Sequence, residues 1–153
     1  MTERVDFYVL KSAAAKQRWL FACRLTEKAY LRDLRIVILN DTLAEAKELD
    51  ELLWTFNERS FIPHQIFLDG DPMDLSTPVQ LALQSTATPA ADLLVNLAHS
   101  LPAQLPQYPR IAEIIDADEE RRRLGRERFK AYREMKLPLE THQLSDTADV
   151  LSP

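Results

Sequence analysis

Short apolar runs alternating with helix-length amphipathic stretches constrain this chain more than any other feature. Val5 to Leu10, Arg35 to Leu39, Val79 to Leu83, Asp92 to Leu97 and Arg110 to Ile115 each carry the β-branched and aliphatic content of a buried strand. A weaker strand is expected near Ile66 to Leu68. Between them, Ala13 to Tyr30 reads as a helix with Ala15, Trp19, Ala22, Leu25 and Ala29 inward. A second helix starts at a capping box, Thr42 with Glu45, and a last one runs from Asp118 to Lys136. Strands buried on both faces and separated by helices favour a mostly parallel sheet covered on both sides. The expected fold is therefore an α/β, three-layer Rossmann-like sandwich. Residues 1–137 are expected to form one domain, and the polar stretch 138–153 a disordered tail.

Such a sheet often carries a phosphate-binding loop, but this chain holds only two glycines, Gly70 in a turn and Gly125 within the last helix. Neither GxGxxG nor a Walker A loop can be built from them, so no nucleotide cofactor and no catalytic residue are expected. His64, His99 and His142 lack ligand spacing, and no metal is expected; His64, directly after Pro63, is read as packing its loop. Asp69, Asp71 and Asp74 read as a solvated turn, and Asp41 as part of the helix start beside it. The single cysteine, Cys23, reads as a small buried hydrophobe. No run approaches a membrane span, and the expectation is a soluble cytoplasmic protein.

Two surfaces stand out. In the helix around Leu49, Ala46, Leu49, Leu53 and Phe56 share one side, at about 100° per residue. Trp54 falls roughly 130° away, beside Lys47, Asp50 and Glu51. An extended Ser60-Phe61-Ile62-Pro63 segment follows, because Pro63 excludes Ile62 from helical space. A displaced tryptophan followed by Phe61 suggests an aromatic docking surface. Phe61 itself is open between loop anchor and partner anchor.

The second surface is the last helix. Residues 118–136 hold eight Lys/Arg and five Asp/Glu within a chain of net charge −5. Leu124, Ala131 and Met135 are expected to face the core. Arg122, Arg126, Phe129 and Arg133 fall within an arc of about 60° on the opposite side. An aromatic ring among arginines reads either as a solvated charged face with Phe129 covered by the tail or a neighbouring loop, or as a site for a ligand with both carboxylate and apolar groups. The acidic totals argue against strong direct DNA binding.

The blocks Leu49-Asp50-Glu51-Leu52-Leu53-Trp54 and Ser60-Phe61-Ile62-Pro63-His64 fit an LDxxLW…SFxPH signature. Asp6-Phe7-Tyr8-Val9-Leu10, Glu27-Lys28-Ala29-Tyr30, Pro78-Val79, Asp92 to Leu97 and Arg126 to Arg133 continue the likeness in order. On these the chain resembles the chi family, the clamp-loader-associated subunit of bacterial DNA polymerase III, over about residues 5–136. The resemblance implies a non-catalytic replisome adaptor. One surface, with Trp54 and Phe61 at the matching positions, would contact the psi subunit, for which a helicase competes. The other would bind the C-terminal tail of single-stranded DNA-binding protein, an acidic peptide ending in phenylalanine. Arg126 matches the key arginine of that site, Arg122 a basic position and Ile115 an apolar one. Phe129 stands where a relative has tyrosine, which keeps the ring and removes a hydroxyl. The rival expectation is a small α/β enzyme or nucleotide-dependent switch with an unrecognised site.

Overall fold

The computed structural model describes residues 2–68, 71, 76–84, 88–103 and 105–144. Within them, seven strands form one sheet in the order β3-β4-β2-β5-β6-β1-β7, and every pair is parallel. The strands are β1 (Arg4–Val9), β2 (Ile36–Asn40), β3 (His64–Ile66), β4 (Val79–Leu83), β5 (Leu93–Asn96), β6 (Arg110–Ile115) and β7 (Leu139–Gln143). The helices are α1 (Ala15–Leu31), α2 (Leu43–Thr55) and α3 (Glu119–Glu134). Alternation along each strand divides the core in two. Tyr8, Ile36, Ile38 and Val95 pack with Phe21, Leu25, Leu49 and Leu53 of α1 and α2. Phe7, Val37, Leu39, Leu94 and Ile111 pack with Tyr132 of α3 on the opposite face. The three-layer sandwich inferred from the alternation is the observed architecture.

Helix starts follow the expected chemistry. The Thr42 hydroxyl caps α2 by accepting the Glu45 N–H at 3.2 Å and donates to the Glu45 carboxylate at 2.9 Å, so the expected pair meets at the helix start. Asp118 caps α3 by accepting the Arg121 N–H at 2.9 Å. Asp41 takes no part in the cap of α2. Its carboxylate instead accepts the His99 N–H at 3.0 Å, joining the ends of β2 and β5. Cys23 is fully buried, and burial pushes its thiol up to about 12, as suits a core residue.

Three expectations need correction. The weak strand lies at His64–Ile66 rather than at 66–68, because the buried His64 ring ties the start of the segment to α2. On α3 the buried residues are Gly125, Arg128 and Tyr132, whereas Met135 is 48% exposed. Hydrophobicity alone misplaced that face, since its centre is an arginine paired with a buried carboxylate. The folded unit also does not close at 137: Leu139–Gln143 pairs with β1 as an edge strand. Its polar sequence hides it, because an edge strand needs no continuous apolar face. The remainder of the expected tail, 145–153, lies outside the described residues. So does the turn expected at residues 69–74, apart from Asp71, whose carboxylate accepts the Leu68 N–H.

A buried carboxylate fastens β7 in place. His142 Nε2 lies 2.9 Å from Asp6 Oδ1, and its ring stacks on Tyr8 with centroids 4.8 Å apart. Arg4 reaches the same oxygen at 2.8 Å and Arg110 reaches Oδ2 at 3.2 Å. Burial pushes the Asp6 carboxyl up, but hydrogen bonds from His142, Arg4 and Arg110 outweigh it and hold the group below its ordinary range. With the folded value depressed, the clamp's contribution is complete above the unfolded aspartate range and is lost as pH falls below about 4. Asp6→Asn should therefore cost about 1–3 kcal/mol near neutrality. Urea unfolding of both proteins from pH 7 to pH 3 checks this: the gap should shrink as pH falls, and a constant gap would show that the charge is irrelevant.

Candidate functional site

Arg122, Arg126, Phe129 and Ile115 converge on one open pocket of about 280 Å³ between α3 and the β1–β7 edge. Phe7, Val9, Gly125, Thr141 and Gln143 complete its lining. Phe129 is not fully outward: its ring meets Phe7 edge-on at 5.1 Å, which leaves it half-buried at the pocket wall. Arg133 lies over the same ring, 6.0 Å from its centre. Gly125 sets how closely α3 approaches the sheet. A Cβ there would sit 2.6 Å from Ile115 Cδ1, so only glycine leaves the Ile115 side chain its present place on the floor.

The cations of α3 divide sharply by partner. Arg121 donates to both oxygens of Asp116, at 2.9 and 2.7 Å. Arg123 pairs with Glu120 and, at 3.1 Å, with Glu127. Arg128 is buried and donates to Glu113 at 3.0 Å and to the His99 carbonyl at 2.7 Å. Among the described residues, Arg122 and Arg126 form no ion pair, and both are exposed at the pocket rim. The two arginines of the Arg126-Glu127-Arg128 block thus have opposite settings, one free and one locked.

Glu113 explains the locking. It is fully buried on β6 and accepts hydrogen bonds from Arg128, from the Tyr132 hydroxyl at 2.7 Å and from Asn96 at 2.9 Å. Burial first, and then the Glu113 charge, push the Tyr132 phenol far above its ordinary value, so it serves as a donor. None of this reaches solvent as a binding group.

The second surface lies at the other edge. Trp54 is 45% and Phe61 69% exposed, with ring centroids 5.3 Å apart. Ile62, not Phe61, anchors the loop, being buried on the α1–α2 side of the sheet. Beneath Trp54, at 4.2 Å, lies the His64 ring, whose Nδ1 faces the Ile62 carbonyl at 2.6 Å and whose Nε2 faces the Asp50 carbonyl at 3.0 Å. The histidine packs the loop, as expected, and also props the tryptophan outward. The edge strands β3 and β7 stand six strand spacings apart, roughly 29 Å, and the two surfaces lie toward these opposite edges.

The crevice at the carboxyl ends of the strands, where α/β sheets commonly hold ligands, is partly filled from within. Buried Arg18 of α1 donates there to the Leu97 carbonyl at 2.7 Å and the Ile114 carbonyl at 3.1 Å. Burial lowers its guanidinium to about 10, so it remains charged near neutrality. The residues missed from sequence are Phe7, Val9, Gly125, Thr141 and Gln143. Phe7 and Val9 were placed on a strand, but only the sheet order shows that α3 covers them. Thr141 and Gln143 belong to the unrecognised edge strand.

Fold and surfaces together define a Rossmann-like α/β sandwich with an aromatic patch at one edge and a basic, apolar-floored pocket at the other. The family model described as DNA polymerase III chi subunit, HolC, matches residues 1–140. A Pseudomonas aeruginosa protein named DNA polymerase III subunit chi is 37% identical over 141 residues, 92% of this chain and 96% of that protein. Proteins of the same name from Haemophilus influenzae and Escherichia coli are 27% identical over 134 residues and 28% over 112. Those alignments cover 87% and 72% of this chain, and 92% and 75% of the relatives. The chain belongs to the DNA polymerase III chi subunit family.

The different settings of Arg126 and Arg128 have a direct consequence for stability. Arg128→Ala should destabilise the fold by about 3–5 kcal/mol, because it strands the buried Glu113 charge. Arg126→Ala should change stability by about 0.5 kcal/mol or less. Urea unfolding of the two variants decides the matter; similar losses would mean that the helix orientation described above is wrong.

Proposed function

We propose that this chain works in DNA replication as a non-catalytic adaptor within the polymerase III assembly, with each sheet edge serving one partner. The pocket receives the acidic C-terminal tail of single-stranded DNA-binding protein. The Trp54–Phe61 patch contacts the psi subunit of the clamp loader or a helicase competing with it. The observation that carries the reading is the convergence on one pocket of Arg122 and Arg126, which form no ion pair among the described residues, with the apolar Ile115 and Phe129. A peptide bearing carboxylates and a terminal phenylalanine presents the complementary pair of chemistries. Arg126 and Arg122 supply forked, permanently charged donors for the carboxylates. Phe129, Phe7 and Ile115 supply apolar contact for the ring, edge-to-face geometry being available at Phe129.

Two partners held at opposite edges would not crowd each other. Tethering the polymerase assembly to protein-coated single strands then raises local concentration, and avidity does what neither contact could alone. No chemistry on the ligand is required, and the adaptor needs no cofactor or metal.

Arg126→Ala should weaken an acidic peptide ending in phenylalanine by about 10- to 100-fold, the range of a lost charge-assisted hydrogen bond. It should also flatten the salt dependence, since one screened charge contact is gone. Phe129→Ala should weaken binding while leaving the salt slope nearly intact. Fluorescence titration of a labelled peptide at several salt concentrations measures both. Equal binding by wild type and Arg126→Ala, or undiminished binding of a peptide without its final phenylalanine, rejects the site.

Trp54→Ala should leave the fold intact, since the ring lies over His64 on the outside, and should cost about 2 kcal/mol or more in psi or helicase binding. Calorimetric titration of the partner, alongside thermal unfolding of the variant, separates the two effects. Unchanged affinity per folded molecule would remove Trp54 from the contact.

A further inference from the structure

Strand β7 is the last in the sheet. Among the described residues β1 pairs with one of its sides and no strand pairs with the other. The ladder to β1 begins with the Val5 N–H on the Pro138 carbonyl and ends with the Leu144 N–H on the Val9 carbonyl, both at 3.0 Å. A strand in a parallel ladder bonds to a given neighbour through alternate residues. Glu140 and His142 therefore turn their backbone groups toward β1, and Leu139, Thr141 and Gln143 turn theirs outward. Thr141 and Gln143 are exposed, and both line the pocket on the α3 face. The open edge and the pocket are thus continuous, and a row of unpaired N–H and C=O groups is a template for a further strand.

We infer that the acidic peptide held by the pocket adds to the sheet as a further strand, parallel to β7 and bonded to the backbone of Thr141 and Gln143. The inference rests on the pocket reading proposed above and extends it from side chains to main chain. Gln143 is paired with Val9, and Val9 with Ile115, so the pocket floor lies at the carboxyl end of β7. A peptide whose last residue sits there meets the open edge only by running back toward Leu139, which makes it parallel. From Gln143 to Leu139 the edge measures about 13 Å, room for about four or five residues. Neighbours in register on adjacent strands carry their side chains on the same face. Peptide residues beside Thr141 and Gln143 therefore project toward α3, where Arg122 and Arg126 form no ion pair among the described residues. Their charge selects carboxylates at alternate positions, and the edge selects an extended backbone.

The test uses the full chain and an acidic octapeptide ending in phenylalanine, labelled at its N-terminus and N-methylated at one amide at a time. Along the stretch beside β7, every second methyl group should weaken binding about 3- to 10-fold, the range of one lost neutral hydrogen bond. The positions between should change it by less than about 2-fold, since those amides point away from β7. Hydrogen exchange reports from the protein's side. The Thr141 and Gln143 amides should exchange fast in the free chain and about 10-fold or more slowly at peptide saturation, whereas those of Glu140 and His142 are protected throughout. Peptide binding that tolerates methyl groups equally at all positions, or that leaves Thr141 and Gln143 unprotected, overturns strand addition while the pocket reading stands. Alternation retained by a peptide without its phenylalanine, bound as tightly, supports strand addition and removes the phenylalanine from the reading. No binding of the parent peptide overturns both. Protection of Thr141 without peptide also overturns the inference: the edge then pairs with a second copy if protection rises with protein concentration, and within the chain itself if it does not.

Discussion

A carboxylate without solvent needs partners, and Glu113 recruits them from three elements. Placed on β6 and fully buried, it would be too costly as an isolated charge. Arg128 and Tyr132 of α3 answer it from one side and Asn96 of β5 from another. Because Arg128 and Tyr132 lie four residues apart, one turn of helix is pinned at two points, which fixes the rotation of α3 about its axis. Everything at the pocket follows from that rotation. Gly125 meets Ile115, Phe129 leans on Phe7, and Arg122 and Arg126 are left at the rim. An aliphatic cluster in place of the network could supply comparable burial, but it would tolerate sliding. Directional bonds to one carboxylate do not.

The same network explains why part of the structure was legible in the sequence and part was not. Strands β4 and β6 fall at the expected residues because they are buried on both faces and bounded by polar or proline-bearing segments. The cap of α2 was legible because Thr42 and Glu45 satisfy each other locally, without reference to anything distant. The inward face of α3 was not. Its centre is Arg128, and nothing in a linear sequence distinguishes that arginine from Arg122 or Arg126 until the fold brings Glu113, on the preceding strand, beside it. Strand β7 was missed for a related reason: its order depends on pairing with β1 and on His142 finding Asp6 and Tyr8, all long-range contacts. The candidate residues Arg122, Arg126, Phe129 and Ile115 nonetheless line one pocket. Helical period and family likeness needed only their relative placement, not the identity of the core face.

The charge distribution is a second consequence of pairing. The chain is acidic overall, yet α3 carries seven Lys and Arg between its caps. Pairing with Asp116, Glu120, Glu127 and Glu113 takes up Arg121, Arg123 and Arg128. What remains at the pocket is a small, local positive field rather than a basic strip along the helix. A nucleic-acid backbone needs many phosphate contacts spread over a surface. Two forked cations beside an apolar floor suit a short carboxylate-bearing chain better.

The sheet's centre differs from its edges. In an open parallel sheet the crevice beyond the strand ends is the usual place for a small ligand, because helix N-termini and glycine loops leave donors free there. Here the connection from β1 to α1 contains no glycine, and Arg18 reaches across to take the Leu97 and Ile114 carbonyls for itself. Its charge spends the crevice's acceptors on holding α1 to β5 and β6. Where the layers end lie two surfaces of another kind: the Trp54–Phe61 patch beside β3, and the pocket beside β7. Both depend on a residue buried just behind them, His64 in one case and Glu113 in the other. Trp54 and the rim of the pocket are therefore set by polar side chains buried just behind them, and this lets the fold present two well-defined surfaces at its edges.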